Sequence, residues 1–136
     1  MSTIFVAYGG GDHRNTVLAF AVEQAAASGY ELLVYHVHES TTESVDTVRK
    51  EIERVVQRTD PHVVYEIEID TRDDVSDRTN VSRQKRLTDA IVAGAETYEY
   101  VVMGDIDRGS IKELTHASMT QAVLETHEVP VLLVPV

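Results

Sequence analysis

The sequence predicts an α/β fold, a five-stranded and mostly parallel sheet with helices on both faces. Short apolar segments typical of buried strands alternate with amphipathic segments of helical period from one end of the chain to the other. No linker, repeat or low-complexity tract interrupts that alternation. The length of 136 residues suits one domain. We therefore expect residues 1–136 to form a single doubly wound unit.

The first quarter of the chain predicts a strand, a helix and a second strand. Thr3–Tyr8 is a short apolar run that ends in three glycines. A helix is expected over His13–Ser28, with Asp12 as its N-cap and Gly29 as its C-terminal stop. Leu32–Val37 has the composition of a second buried strand.

The middle of the chain predicts a helix and an edge strand. Ser40 and Glu43 have capping-box spacing. An apolar stripe follows them, formed by Val45, Val48, Ile52, Val55 and Val56. Asp60–Pro61 is expected to end the helix, and Val63–Ile69 alternates as an edge strand does. Residues 70–80 are polar and predict a loop.

The last third predicts two more helices and two more strands. A short helix is indicated by the spacing of Leu87, Ile91 and Ala95. Glu99–Met103 is the fourth strand and Pro130–Val134 the fifth. Between them, Ser118 and Gln121 form a second capping-box pattern, with Met119, Ala122 and Val123 on the inner side of the helix.

The charge and cysteine content exclude several classes of function. The net charge of −11 disfavours nonspecific binding to nucleic acid or anionic lipid. Cysteine is absent, which excludes disulfides and thiol catalysis and suits a cytoplasmic protein. We expect no signal peptide and no membrane span. The acidic surface suits either an ordinary well-solvated protein or a host with a very salty cytoplasm, and the low ratio of lysine to arginine favours the salty host.

Glycines indicate where a ligand would bind. Five of the seven glycines lie in the loops after the first and fourth strands, namely Gly9, Gly10, Gly11, Gly104 and Gly109. If these strands are neighbours, both loops lie at the point where the winding direction reverses, and ligands of open α/β sheets bind there. Ordinary tight turns are the alternative explanation of these glycines.

Two standard phosphate-binding motifs are missing. The chain has no P-loop pattern, and the Gly9-x-Gly11 pair has Arg14 where a dinucleotide-binding loop carries its third glycine. A kinase, a P-loop ATPase and a Rossmann dehydrogenase are therefore disfavoured.

Three stretches resemble the universal stress protein (UspA-like) family, and the resemblance covers nearly the whole chain. They are Val6-Ala-Tyr-Gly-Gly-Gly11, Leu32-Leu-Val-Tyr-His-Val37, and the run from Val101-Val-Met-Gly104 through Ala117-Ser118 to Pro130-Val-Leu-Leu-Val134. The resemblance implies the strand order 3-2-1-4-5 of the adenine nucleotide alpha hydrolase-like fold. It also implies dimerisation through the last strand, here Val129–Val136, whose apolar edge would otherwise be exposed. Together with the composition, it suggests a halophilic archaeon as the source.

One subset of that family binds ATP through the pattern G-x2-G-x9-G-[ST]. Transferred to this chain, the resemblance places a nucleotide cleft at Ala7, Tyr8, Gly9, Gly10, Val37, Met103, Gly104, Asp107, Arg108, Ala117, Ser118 and Met119. The first glycine of the pattern is Gly104 and the hydroxyl residue is Ser118. The chain departs from the family at Asp107 and Ala117, which replace glycines, and at Gly9, where an acidic residue is expected near ribose and base.

These departures disfavour ATP. Asp107, with Asp105, would put carboxylates near the triphosphate, and like charges about 5 Å apart repel by about 3 kcal/mol at an effective dielectric near 20. Arg108, Lys112, a divalent cation or high salt would offset part of this repulsion. No catalytic residue and no metal site are predicted, because His36 and His38 lack a third ligand in the sequence and fit a core and a rim histidine.

The function predicted from the sequence is therefore that of a dimeric, non-enzymatic binding or regulatory protein of the stress response, with a degenerate nucleotide cleft. The first alternative is an ATP-binding member of the family with slow or no hydrolysis. The second is an enzyme that acts on another small molecule in the same cleft.

Overall fold

The computed structural model describes residues 2–9, 11–38, 43–71, 80–105 and 120–135. In chain order the elements are β1 (Thr3–Ala7), α1 (Arg14–Ser28), β2 (Glu31–Val37), α2 (Val45–Thr59), β3 (Tyr65–Asp70), α3 (Asn80–Ala93), β4 (Tyr98–Asp105) and β5 (Val131–Pro135). Residues 120–125 are also helical. No helix in this part of the chain is long and apolar enough to cross a membrane.

The five strands form one sheet in the order β3-β2-β1-β4-β5, and every neighbouring pair is parallel. The central strand β1 pairs with β2 on one side and with β4 on the other. The winding direction therefore reverses between β1 and β4. The predicted fold class and strand order are confirmed, and β3 lies at an edge as its alternating sequence predicts.

Two apolar layers cover the two faces of the sheet. The side chains of β1 alternate between them, with Ile4 and Val6 on one face and Phe5 on the other. The first layer packs the buried sides of α1 and α2 against the sheet. The second packs Leu87 and Ile91 of α3, together with Val123, against the opposite face. Four of the five residues in the predicted stripe of α2 are buried, and Val45 is half-buried.

The N-terminus of α1 differs from the prediction. The helix begins at Arg14, the N-cap position is His13, and no side chain caps the first turn. Asp12 is therefore not the N-cap. A turn over residues 11–13, in which the Arg14 amide donates to the Gly11 carbonyl at 3.3 Å, precedes the helix and leaves Asp12 one residue too early. At the other end, the prediction is confirmed because Gly29 has φ +72° and stops the helix in the left-handed region.

The N-terminus of α2 also differs from the prediction. The helix begins at Val45, and the side chain of Ser44 accepts a hydrogen bond from the Thr47 amide at 3.1 Å. The capping box of Ser40 and Glu43 is therefore wrong. Glu43 lies outside the helix, and its carboxylate binds Arg14 instead of capping a backbone amide. The helix ends at Thr59, just before Asp60–Pro61, as predicted.

Smaller differences concern α3 and β3. Helix α3 ends at Ala93, so Ala95 lies in the turn that follows, although it still packs against the second apolar layer. At the ends of the predicted loop over residues 70–80, Asp70 belongs to β3 and Asn80 to α3, and residues 72–79 lie outside the described residues. The capping-box pair at Ser118 falls partly outside the described residues, since Ser118 and Met119 are not among them.

Candidate ligand cleft and its polar network

The carboxyl ends of β1, β2 and β4 meet at one edge of the sheet. Ala7 pairs with Tyr35 in β2, and Val6 pairs with Val102 in β4. Six of the residues predicted for the cleft therefore lie together at this edge, namely Ala7, Tyr8, Gly9, Val37, Met103 and Gly104. The other six lie outside the described residues, namely Gly10, Asp107, Arg108, Ala117, Ser118 and Met119. Their part in a ligand site stays a prediction.

The side chains of these residues differ in how a ligand would meet them. Tyr8 is only 2 % exposed and packs into the first apolar layer. Met103 is buried in the second layer, and Ala7 and Val37 pack against it. Gly9 is exposed, and a Cβ atom added there would meet no atom of the described residues within 4 Å. The backbone of Gly9 therefore has open space beside it in the described part of the chain.

A polar network that the sequence did not predict lies beside Gly9. Arg14 donates to two carboxylates. It contacts Glu43 through Nη1 at 2.9 Å and Nη2 at 3.0 Å, and it contacts Glu51 through Nε at 3.0 Å and Nη2 at 2.8 Å. Its Nη1 atom also donates to the Gly9 carbonyl at 3.2 Å, and the guanidinium carbon lies 4.7 Å from the centre of the Tyr8 ring. Arg14 thus joins the loop after β1 to α2 and to the segment before it.

Glu51 is the acceptor at the centre of this network. Its Oε2 atom also accepts from the Tyr8 hydroxyl and from Asn15 Nδ2, each at 2.8 Å. The Tyr8 hydroxyl lies 2.6 Å from Asn15 Oδ1 as well, so its single proton is shared between two acceptors. The residue after β1 and the first two residues of α1 therefore hold the carboxylate of Glu51 in place.

The pKa values follow from these contacts. The hydrogen bonds from Arg14, aided by those from Tyr8 and Asn15, lower the pKa of Glu51 to about 2. The Arg14 hydrogen bonds also lower the pKa of Glu43. Burial, together with the bond to Glu51, raises the pKa of the Tyr8 hydroxyl. Both carboxylates are therefore ionised at neutral pH while Tyr8 is neutral.

His36 and His38 lie next to this network, with ring centres 6.1 Å apart. His36 is buried, its Nδ1 atom lies 2.7 Å from the Tyr8 carbonyl oxygen, and burial lowers its pKa. His38 is half-buried, and its Nδ1 atom has no hydrogen-bond partner among the described residues. The positions agree with a core and a rim histidine. Among the described residues, no three His, Asp or Glu side chains are grouped so that they could hold a metal ion.

A separate open cavity of about 490 Å³ lies between β3 and α3. Its polar wall includes Glu68, Asp70, Arg86 and Asp89. The Tyr35 hydroxyl donates to Asp70 at 2.9 Å, and the Asp89 carboxylate contacts Lys85 at 3.1 Å. Among the described lining residues, three carboxylates and one arginine give this wall a negative charge, which disfavours an anionic ligand. The cavity also lies away from the β1–β4 switch point, so we do not identify it with the predicted cleft.

The comparison with known proteins agrees with this architecture. The model of the "Universal stress protein family" matches residues 1–135. A universal stress protein encoded in the 3′ region of the QAH/OAS sulfhydrylase of Thermus aquaticus is 31% identical, over 97% of this chain and 97% of its own length. Among solved structures, a universal stress protein in complex with cAMP has a TM-score of 0.68 at 17% identity, with 98% of this chain and 95% of the other covered.

A universal stress protein of Archaeoglobus fulgidus in complex with dAMP has a TM-score of 0.60 at 18% identity, with 98% of this chain and 96% of the other covered. At such identities the solved structures support the fold alone, whereas the match to the family model and the Thermus aquaticus relative show descent. The chain belongs to the universal stress protein family.

Proposed function

We propose that this protein is a non-enzymatic regulatory protein of the stress response that binds a small nucleotide-like ligand in the cleft between the loops after β1 and β4. The observation that carries the proposal is the open space at Gly9, next to the reversal point between these two strands. The cAMP and dAMP complexes of two proteins with the same fold support a nucleotide as the ligand class.

Weak or absent ATP binding is the second part of the proposal. Gly9 offers no carboxylate to a ribose, although the family resemblance places an acidic residue there. Asp107 and Ala117 stand where the ATP-binding pattern has glycines, and a carboxylate at Asp107 repels a triphosphate. We therefore expect a dissociation constant for ATP weaker than about 1 mM.

Two measurements test this function. Acid extraction of the purified protein, followed by mass spectrometry, is expected to release a nucleotide or a related small molecule other than ATP. Calorimetric titration with ATP, in the salt at which the protein works, is expected to give little or no heat of binding. A sub-millimolar dissociation constant for ATP would favour the alternative of an ATP-binding member. Turnover of any substrate that is lost when Ser118 or Arg108 is replaced would instead favour an enzyme.

The proposal includes a cytoplasmic homodimer. Strand β5 is an edge of the sheet among the described residues, and its Val131, Leu132 and Leu133 side chains are only partly buried. Unpaired backbone groups on such an apolar edge favour pairing with a second copy. The absence of cysteine suits a reducing compartment.

The acidic composition supports a salt-adapted host, such as a halophilic archaeon. A net charge of −11 on 136 residues destabilises the folded state by self-repulsion, and salt screens that repulsion. We expect the urea midpoint of unfolding to rise between 0.1 and 2 M KCl, most of it below about 1 M, because the Debye length falls from about 10 Å at 0.1 M to about 3 Å at 1 M. A midpoint that stays constant over this range would instead indicate an ordinary well-solvated acidic protein.

A further inference from the structure

The two carboxylate partners of Arg14 are held in different ways. Glu51 lies inside α2 and accepts from Tyr8 and Asn15 as well as from Arg14. Glu43 lies outside the helix, and its carboxylate accepts only from Arg14 among the described residues. Glu51 is therefore fixed by several neighbours, whereas the Arg14 contact is what holds the Glu43 side chain.

The contact between Arg14 and Glu43 has the geometry of ligand recognition. Arg14 Nη1 donates to Glu43 Oε2 at 2.9 Å and Nη2 donates to Oε1 at 3.0 Å, so two parallel hydrogen bonds join the guanidinium and the carboxylate. A guanidinium binds the carboxylate or phosphate of a ligand in the same way. The Glu43 and Glu51 side chains are each 25% exposed, so both carboxylates that bind Arg14 reach solvent.

The same guanidinium borders the proposed cleft. Its Nη1 nitrogen, which contacts Glu43, also donates to the Gly9 carbonyl at 3.2 Å. Gly9 has open space beside it among the described residues. A ligand next to Gly9 therefore lies near the Arg14 guanidinium, which Glu43 contacts.

We propose that Arg14 is an anion subsite of this cleft and that Glu43 occupies it as an internal competitor, which a singly charged oxyanion displaces. The inference rests on the ligand-binding function proposed above. Arg14, Glu43 and Glu51 together carry one net negative charge. When the phosphodiester or carboxylate of a ligand displaces the Glu43 carboxylate from Arg14, the charge at this position is unchanged. A di- or triphosphate instead adds negative charge next to Glu51.

Titration of ¹⁵N-labelled protein with dimethyl phosphate or with acetate, at constant ionic strength, tests the subsite. The Arg14 Nε–H resonance reports binding, and the two probes distinguish phosphodiester from carboxylate ligands. In Glu43→Gln the apparent affinity for at least one probe is expected to rise about tenfold or more, because the internal competitor loses its charge. Glu53→Gln is the matched control, since Glu53 is an exposed residue of the neighbouring helix α2 and its replacement removes the same charge. Its affinity is expected to equal that of the wild type.

Three results would overturn the subsite. In the first, Glu43→Gln binds neither probe more tightly than the wild type does. In the second, Glu53→Gln gains as much affinity, which would make the effect one of overall charge. In the third, pyrophosphate binds the Glu43→Gln protein more tightly than both singly charged probes. Glu43→Asp serves as a second variant. Its side chain is one methylene group shorter, so its carboxylate reaches the Arg14 guanidinium less well, and we expect an intermediate gain in affinity. Neither probe carries a base, so a failure to bind nucleotides would refute the proposed function without affecting this test.

Discussion

Arg14 stands where a dinucleotide-binding loop would carry its third glycine, and the structure gives the residue a different role. Its guanidinium joins the loop after β1 to two carboxylates that lie 29 and 37 residues further along the chain. Glu51 is not distinguished in the sequence from the many other acidic residues, and the spacing of Glu43 predicts a helix cap instead of an arginine partner. The sequence therefore identifies Arg14 as an anomaly, but only the packing of α1 against α2 identifies its partners.

The same limit applies to Tyr8. As the last residue of the apolar run Thr3–Tyr8 it is predicted to belong to a buried strand, and the structure places it just after β1 with 2 % exposure. The hydrogen bonds of its hydroxyl to Asn15 and Glu51 depend on how the first turn of α1 lies against α2. A sequence pattern carries no information on that arrangement, because it depends on the tertiary fold.

Replacing Glu51 by Gln tests the network at the residue scale. The substitution leaves Arg14, Tyr8 and Asn15 with a neutral acceptor, so we expect a loss of about 1.5 to 3 kcal/mol in the free energy of unfolding at pH 7. The measurement is urea unfolding followed by circular dichroism, with Glu53→Gln as the control of equal charge.

The loss depends on pH in a direction fixed by the pKa of Glu51. The pKa is lowered from 4.5 to about 2 in the folded protein, so the stabilisation is complete above 4.5 and is lost as the pH falls through about 2. The wild type and Glu51→Gln should therefore converge in stability between pH 4.5 and 2. A stability difference that stays constant through this range would show that the carboxylate charge does not stabilise the fold.

At the scale of elements, apolar periodicity predicts which residues of a helix or strand are buried better than it predicts where the element begins and ends. The stripe of α2 and the alternation of β3 follow directly from apolar spacing, and both are confirmed. The predicted start of α1 was wrong because a turn precedes the helix and no side chain caps it. The predicted start of α2 was wrong because Ser40, Glu43 and Ser44 lie close together and each can take part in a cap. The choice among them depends on tertiary contacts, as in the binding of Glu43 by Arg14.

Ser44→Ala tests the observed start of α2. The side chain of Ser44 accepts from the Thr47 amide, so its loss leaves a helix N–H group without that partner. We expect a loss of about 1 kcal/mol in the free energy of unfolding, and only a few tenths for Ser44→Gly. Both variants are compared with the wild type by urea unfolding. An unchanged stability in Ser44→Ala would place the functional cap elsewhere.

At the scale of the whole molecule, the sheet order places the two glycine-bearing loops at the switch point. The alternation of strands and helices predicts the doubly wound class, while the order 3-2-1-4-5 follows from the family resemblance and agrees with the structure. Function follows less directly, because half of the residues predicted for the cleft lie outside the described residues. What the structure adds is the open space at Gly9 and the Arg14 network beside it.

Leu133→Pro tests dimerisation through the β5 edge. The Val101 amide donates to the Pro130 carbonyl, so the N–H groups of Val131 and Leu133 point away from β4. Proline at position 133 removes an outward N–H group without breaking the bonds to β4. Light scattering should give a dimer for the wild type and for Leu133→Ala, and a monomer for Leu133→Pro. A dimer in all three proteins would show that the subunits pair elsewhere.

The cleft at Gly9 is the central claim, and a calorimetric titration of ATP into three proteins tests it most directly. Gly9→Asp restores the carboxylate that the family resemblance places near the ribose, and the space beside Gly9 accepts the new side chain. Gly11→Asp is the matched control, because it adds the same charge two residues away, also into open space. We predict that Gly9→Asp binds ATP about 10- to 100-fold more tightly than the wild type, which is the effect of one charge-assisted hydrogen bond, and that Gly11→Asp does not. Equal affinities for Gly9→Asp and Gly11→Asp, or tight binding by the wild type, would contradict the account.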